Sequence, residues 1–83
     1  MAFNRTHLIL LSILSKVEAI SAARAVTMQY ISEYCPIGKS YTTLLRAIHL
    51  LNKNGFIQQG VKDGQFNTYF ITTQGEDKLK EML

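Results

Sequence analysis

Apolar residues crowd the first part of the chain and then thin into spaced positions. From Asn4 to Val17 the residues Leu8, Ile9, Leu10, Leu11, Ile13, Leu14 and Val17 follow one another without Gly or Pro. That density predicts a helix over about 4–17, with Leu8, Leu11 and Leu14 filling one face. Ile9, Leu10, Ile13 and Val17 then lie around the rest of the cylinder. A helix apolar nearly all round needs cover on more than one side, which makes those four residues the expected interface of a homodimer. The alternative is a helix central to its own fold.

Helical spacing resumes in "AARAVTMQYISEY", where Ala23, Val26 or Thr27, Tyr30 and Tyr34 recur on one side. With Ser21 as N-cap, a second helix is expected over 21–34. Pro36 and Gly38 end it, because Pro36 biases Cys35 away from helical geometry and Gly38 permits a positive φ. A third helix is expected over 40–53, capped by Ser40 and stopped by Gly55. At 100° per residue, Leu44, Ala47, Ile48 and Leu51 share one side of it. Thr42, Arg46, His49 and Lys53 share the other, within about 60° of one another. Helix, turn and helix in this order outline a helix-turn-helix unit.

After Gly55 the period changes. "FIQQGVK" and "QFNTYFIT" are rich in aromatic and β-branched residues and are joined by Asp63-Gly64, which predicts a hairpin over 56–72. Folding at that turn sets Val61 opposite Phe66 and Ile57 opposite Phe70, and leaves Lys62, Gln65 and Asn67 on a polar tip. A last helix is expected over 74–83, with Thr73 and Glu76 as a capping box and Leu79, Met82 and Leu83 as a short apolar stripe. That stripe suits either docking on the core or a dimer contact. Tyr30, Tyr34, Phe56, Phe66 and Phe70 are assigned to the core, and Tyr41 to the core edge or the contact face.

This order of elements resembles a winged helix-turn-helix domain, above all the PadR-like and MarR-like bacterial regulators. In "TLLRAIHLLNKNGFI", residues Leu44, Arg46, Ala47, Ile48, His49, Leu51, Gly55 and Ile57 sit where a PadR-like recognition helix carries similar types. "YFITTQG" looks like the passage from the second wing strand into the following helix, and "LILLSILSK" is similar to the first helix of those regulators. Leu45 departs from the pattern, standing where PadR-like proteins frequently carry a tyrosine, and the hairpin is short, with one cation at its tip. The long C-terminal dimerising helices and the ligand-sensing elements of the larger regulators have no counterpart here. The resemblance implies an α+β, mostly α, fold: a three-helix core, a two-stranded β-hairpin wing and a short C-terminal helix, in a single domain spanning 1–83. It also implies sequence-specific double-stranded DNA binding by a small transcriptional regulator. Helix 40–53 would enter the major groove, and wing 60–67 would lie near the backbone or the minor groove.

Charge and composition fit that expectation. The chain has 83 residues, 47% of them hydrophobic and 18% charged, which suits one small globular domain. The net charge of +3 is mild, but Lys39, Arg46, Lys53 and Lys62 fall in a stretch from Pro36 to Lys62 that contains no acid. Such a stretch is the usual footprint of a phosphate-facing surface, although four cations on a solvated face could also arise by chance. Lys39, Lys53 and Lys62 are the expected phosphate contacts, with the Ser40 and Thr42 hydroxyls and the amides opening the third helix. Arg46 is the expected base reader, because its fork matches the guanine acceptors, with Tyr41, Thr42 and His49 beside it. Thr43, Gln65 and Asn67 complete the candidate set. A two-fold dimer would call for an inverted-repeat operator.

Other classes find little support. Cys35 is the only cysteine, so neither an intrachain disulfide nor a cysteine zinc cluster can form, and a reducing, cytoplasmic setting is expected. "LILLSIL" is too short to span a bilayer, and Lys16 and Glu18 follow it closely, so no membrane association is expected. His7 is isolated, and no glycine-rich phosphate loop, activated nucleophile or paired carboxylates can be recognised. Neither an enzyme nor a cofactor, metal or small-molecule ligand is expected. The competing reading is a winged helix used for protein–protein interaction, or as a plasmid segregation or replication adaptor, and Leu45 and Leu50 beside the polar stripe keep it open.

Overall fold

The computed structural model describes residues 2–35, 38 and 40–83. The turn expected at Pro36 and the candidate phosphate contact Lys39 lie outside the described residues.

Helix α1 (Arg5–Lys16) begins at Asn4, whose side chain accepts the backbone N–H of His7 at 3.1 Å. It ends through Glu18 in the left-handed region (φ 60), with Glu18 N–H bonded to Ser15 O and Ala19 N–H to Leu14 O. This is a Schellman stop with a non-glycine residue at the turning position. Four elements pack around α1: α2 (Met28–Tyr34), α3 (Tyr41–Lys53), α4 (Thr73–Met82) and strand β3 (Thr68–Ile71). The helix is therefore central to its own fold, which accounts for its wide apolar surface. Leu10 has no exposure and Ile13 is buried, so both are committed to this chain's own core, while Ile9 and Val17 are half-buried. Leu8, expected inward with Leu11 and Leu14, packs on the core but is only half-buried, while Leu10 is fully buried.

The second helix is half the expected length. Ser21 makes no side-chain cap; Ala22–Arg24 form a 3-10 turn, Ala25 is extended, and Val26–Thr27 form strand β1. Helix α2 (Met28–Tyr34) starts only there, with Thr27 Oγ1 accepting the amide of Tyr30 at 3.2 Å. Two β-branched residues favour a strand when a partner is available, and β3 (Thr68–Ile71) supplies it through Val26↔Tyr69 and Thr27↔Thr68. One consequence corrects the expected core. Tyr30 and Tyr34 lie exposed on α2, their rings 4.9 Å apart, with Tyr30 Oη donating to Tyr34 Oη at 3.3 Å.

Helix α3 (Tyr41–Lys53) follows the sequence pattern. Ser40 Oγ accepts the amide of Thr43, and Gly55 takes φ 84 beyond the last turn. Leu44, Ala47, Ile48 and Leu51 are buried against α1 and β2 (Ile57–Gln59). Tyr41 is 52% exposed, so it does not belong to the core edge.

The sheet has the antiparallel order β1-β3-β2, one strand more than the expected hairpin. Its register is Ile57↔Ile71, Gln58↔Phe70 and Gln59↔Tyr69, one residue away from the expected pairing. The two-residue loop is Gly64-Gln65, closed by Asp63 and Phe66, whose backbones exchange hydrogen bonds of 3.0 Å. Gly64, with φ 63, suits the first central position of a type II′ turn. Between Gly60 and Asp63 two residues, Val61 and Lys62, oppose Asn67 alone, which makes a bulge. A one-residue slip changes the face of every side chain, so Phe66 points to solvent at 59% exposure while Tyr69 is buried. Phe56 and Phe70 are half-buried on the core.

Helix α4 (Thr73–Met82) is capped by Thr72, one residue before the expected Thr73. Thr72 Oγ1 donates to Gly55 O at 2.7 Å and accepts from Gly75 N–H at 3.0 Å, a pair of bonds that Thr73 does not make. Glu76 accepts from Ser15 Oγ on α1 instead of closing a box on Thr73. Leu79 is buried in the core, Met82 is half-buried and Leu83 is exposed, so the stripe docks on the chain's own core through Leu79.

Candidate nucleic-acid interface

The apolar side of α3 faces inward, so its other side is the surface feature that needs explanation. Thr42, Arg46, His49 and Lys53 are all exposed there. The helix contains no acid along its length, and its first turn, where backbone N–H groups have no acceptor within the helix, is the positive end of the dipole. Ser40 and Thr43 stand at that end, exposed; Ser40 Oγ donates to Thr43 Oγ1 at 2.9 Å while holding the cap. Those two hydroxyls thus order the helix start before they could meet a phosphate.

Beside this stripe lies an open cleft of about 730 Å³ between α3, the start of α2 and the hairpin. Tyr41, Leu45 and His49 form the α3 wall. Gln65, Phe66 and Asn67 form the hairpin wall together with Asp63. The cleft brings together four of the candidate residues, Tyr41, His49, Gln65 and Asn67. Arg46, Lys53 and Lys62 are exposed but do not line it, so the candidate set spans a helix face and a hairpin tip and does not converge on a pocket.

Other wall residues were not singled out from the sequence. Thr27 comes from the end of β1, where it caps α2, and Gln29 and Ser32 come from α2, where Ser32 Oγ already donates to Gln29 O at 2.8 Å. Their signal was present in the β-branched pair Val26-Thr27 ahead of a short polar helix. Phe66 was missed because the pairing parity of the hairpin turned it inward on paper. Leu45, in the position of the frequent tyrosine, is half-buried and faces the cleft.

Other chemistries have little to work with. Among the described residues no group of three His, Cys, Asp or Glu side chains could hold a metal ion, and no helix is long and apolar enough to cross a membrane. His7, buried at the start of α1, accepts the Asn4 amide on Nδ1, and burial lowers its pKa. Cys35 is half-buried against the core. The hydrogen bond between Tyr30 and Tyr34 raises the pKa of the Tyr30 phenol.

No protein-family model matches the chain, and no curated protein matches it. Solved structures do. The chain is similar to TubR from Bacillus megaterium pBM400, with a TM-score of 0.83 and 18% identity over 96% of this chain and 86% of that one. It is similar to the DNA-binding TubR fragment from Clostridium botulinum, with a TM-score of 0.75 and 24% identity over 100% of both chains. A PadR family transcription regulator from Clostridium difficile R20291 aligns with 95% of this chain and 83% of its own, at a TM-score of 0.74 and 17% identity. Identities this low establish architecture alone, and that architecture is the winged helix-turn-helix, with α3 as the last helix before the sheet and the β2–β3 hairpin as the wing.

Proposed function

We propose that the protein is a small transcriptional regulator that binds double-stranded DNA in a sequence-specific manner. The observation that carries this reading is the exposed face of α3, where Thr42, Arg46, His49 and Lys53 stand without an acidic neighbour on the helix, opposite the buried Leu44, Ala47, Ile48 and Leu51. From Thr42 to Lys53 the stripe rises about 16 Å, a length suited to a major groove. Arg46 reads base edges, with Tyr41, Thr42 and His49 beside it. Lys39, Lys53 and Lys62 hold phosphates together with Ser40, Thr43, Gln65, Asn67 and the amides opening α3. The DNA-binding TubR fragment and the PadR regulator support the reading by likeness of fold.

The regulator acts as a homodimer on an inverted repeat. A chain with extents of 34 × 28 × 21 Å, paired with a copy about a two-fold axis, can present two α3 helices about one DNA turn apart. The contact would draw on the outer side of α1 at Ile9 and Val17, since Leu10 and Ile13 are buried in each chain. A second setting for the same fold is a protein–protein interaction module or a plasmid segregation or replication adaptor, which the apolar Leu45 and Leu50 beside the stripe would serve.

The test is fluorescence anisotropy of a labelled mixed-sequence duplex titrated with wild type and Arg46→Ala at two salt concentrations. Salt-sensitive binding weakened by the substitution is expected. Absence of binding at low salt by folded wild-type protein would turn the reading toward protein interaction.

A further inference from the structure

The wing is weakly charged for an element that approaches DNA. Lys62 and Asp63 are adjacent, exposed and opposite in sign, so the tip carries no net charge and Lys62 is its single cation. Gly64, Gln65 and Asn67 are uncharged. The tip does carry two large apolar side chains that the fold leaves uncovered, Val61 at 67% and Phe66 at 59% exposure. Every other phenylalanine of the chain packs at least partly on the core. An uncovered phenylalanine leaves apolar surface in water that a partner could bury.

Phe66 is also held in place. Its backbone exchanges two hydrogen bonds with Asp63, and Thr68 Oγ1 ties the bulge by donating to Val61 O at 2.6 Å. The ring lines the cleft whose far wall is Tyr41 and His49 of α3, so it stands on the side of the hairpin that turns toward the recognition helix. A duplex seated on α3 through the acid-free stripe would meet the hairpin across one phosphate strand, where the wing holds out the uncovered Phe66 ring.

We infer that Phe66 is an apolar wedge that enters the minor groove and partly unstacks a base step beside the site read by α3. This rests on the DNA-binding reading and adds a source of specificity to it. Unstacking costs least at pyrimidine–purine steps, above all TpA, so a flexible step is favoured where the wing lands, without a hydrogen bond to any base. Val61, on the opposing strand, supplies a second apolar contact against the sugar edges.

The experiment uses the full chain and two duplexes of mixed sequence, one containing TpA steps and one with A-tracts in their place. 2-Aminopurine stands at selected adenines, and binding is followed by anisotropy and by 2-aminopurine emission. The wild type is expected to brighten the TpA duplex. Phe66→Ala should abolish the brightening and weaken binding about tenfold, the equivalent of about 1.4 kcal/mol, with the salt slope unchanged. Phe66→Leu should restore part of both. Lys62→Ala should keep the brightening and lower the salt slope by about 0.9. Circular dichroism melting checks that Phe66→Ala remains folded, as an exposed side chain should allow. Phe66→Ala binding and brightening like wild type would overturn the wedge while leaving DNA binding intact. A loss of affinity accompanied by a lower salt slope would also overturn it, since Phe66 would then act by placing cations. Failure of the wild type to bind either duplex would overturn the DNA-binding reading and the wedge with it.

Discussion

Asn4 and His7 cap α1 reciprocally: Asn4 Oδ1 accepts the His7 amide and His7 Nδ1 accepts the Asn4 amide, both at 3.1 Å. The second bond requires an unprotonated Nδ1. Burial holds the folded imidazole below its ordinary pKa of 6.5, so the unfolded chain takes up the proton first as pH falls. Stability is therefore full above about pH 6.5 and is lost progressively as pH drops toward the lowered folded value. A positive charge at the start of a helix adds to the loss. Thermal melting between pH 7.5 and 5.5 should show a falling Tm in wild type. His7→Gln, which can still close the box but does not titrate, should flatten the profile.

Glu18 occupies a left-handed conformation with φ 60 at the end of α1, a conformation that glycine usually supplies at helix ends. A residue with a Cβ pays roughly 1 kcal/mol there. Glu18→Gly should raise stability by up to that amount, which corresponds to a Tm increase of about 4–8 °C in a domain of this size. An unchanged or lower Tm in calorimetry would show that the carboxylate supplies a compensating interaction.

Gly75 lies in the first turn of α4 for a steric reason. A Cβ built there would collide with the Phe56 carbonyl and come within 2.7 Å of Ile71 Cγ1. The carbonyl belongs to the backbone and cannot turn aside. Gly75→Ala should destabilise the fold by about 1–3 kcal/mol, read as a lower urea midpoint with little change in slope. DNA affinity per folded molecule should stay the same.

The legible parts of the fold are those decided within one turn of a helix. Leu44, Ala47, Ile48 and Leu51 define the inward side of α3 by spacing alone, and Ser40 and Gly55 mark its ends. The missed parts depend on partners far along the chain. Val26 and Thr27 become a strand because Tyr69 and Thr68 arrive beside them. Gly60 lets the wing cross the 22–25 segment, since a Cβ there would come within 2.6 Å of Ala22 O. The bulge that follows, at Val61 and Lys62, shifts the register and turns Phe66 outward. Thr72 rather than Thr73 caps α4 because Gly55 O is within its reach. The candidate interface was legible on α3 for the same local reason. Its hairpin wall was legible only as polarity, since the direction of Phe66 depends on the bulge.

Phosphate contacts and base contacts should separate in salt titrations. Lys53 is exposed on the last turn of α3, and Lys62 is exposed on the wing. Removing either should weaken binding to all duplexes alike and reduce the slope of log K against log salt by about 0.9. Arg46→Ala should cost about 1–3 kcal/mol on a preferred sequence and much less on others. Equal losses on every sequence would assign Arg46 to the backbone.

Self-association through α1 makes a prediction that distinguishes the two sides of that helix. Ile9 and Val17 are half-buried and have surface to offer a copy, whereas Leu10 is fully enclosed by its own chain. A charge at Leu10 must enter the core and should unfold the protein, because an unpaired buried carboxylate cannot be compensated there. A charge at Ile9 should leave the fold intact and separate the dimer. Sedimentation velocity at high micromolar concentration, with and without duplex, should give a dimer for wild type and a folded monomer for Ile9→Glu. The monomer should bind a single half-site with far lower apparent affinity than the dimer shows for an inverted repeat, because the second contact is no longer tethered to the first. If wild type sediments as a monomer in both conditions, α1 serves only its own core, and each bound chain must recognise its site independently.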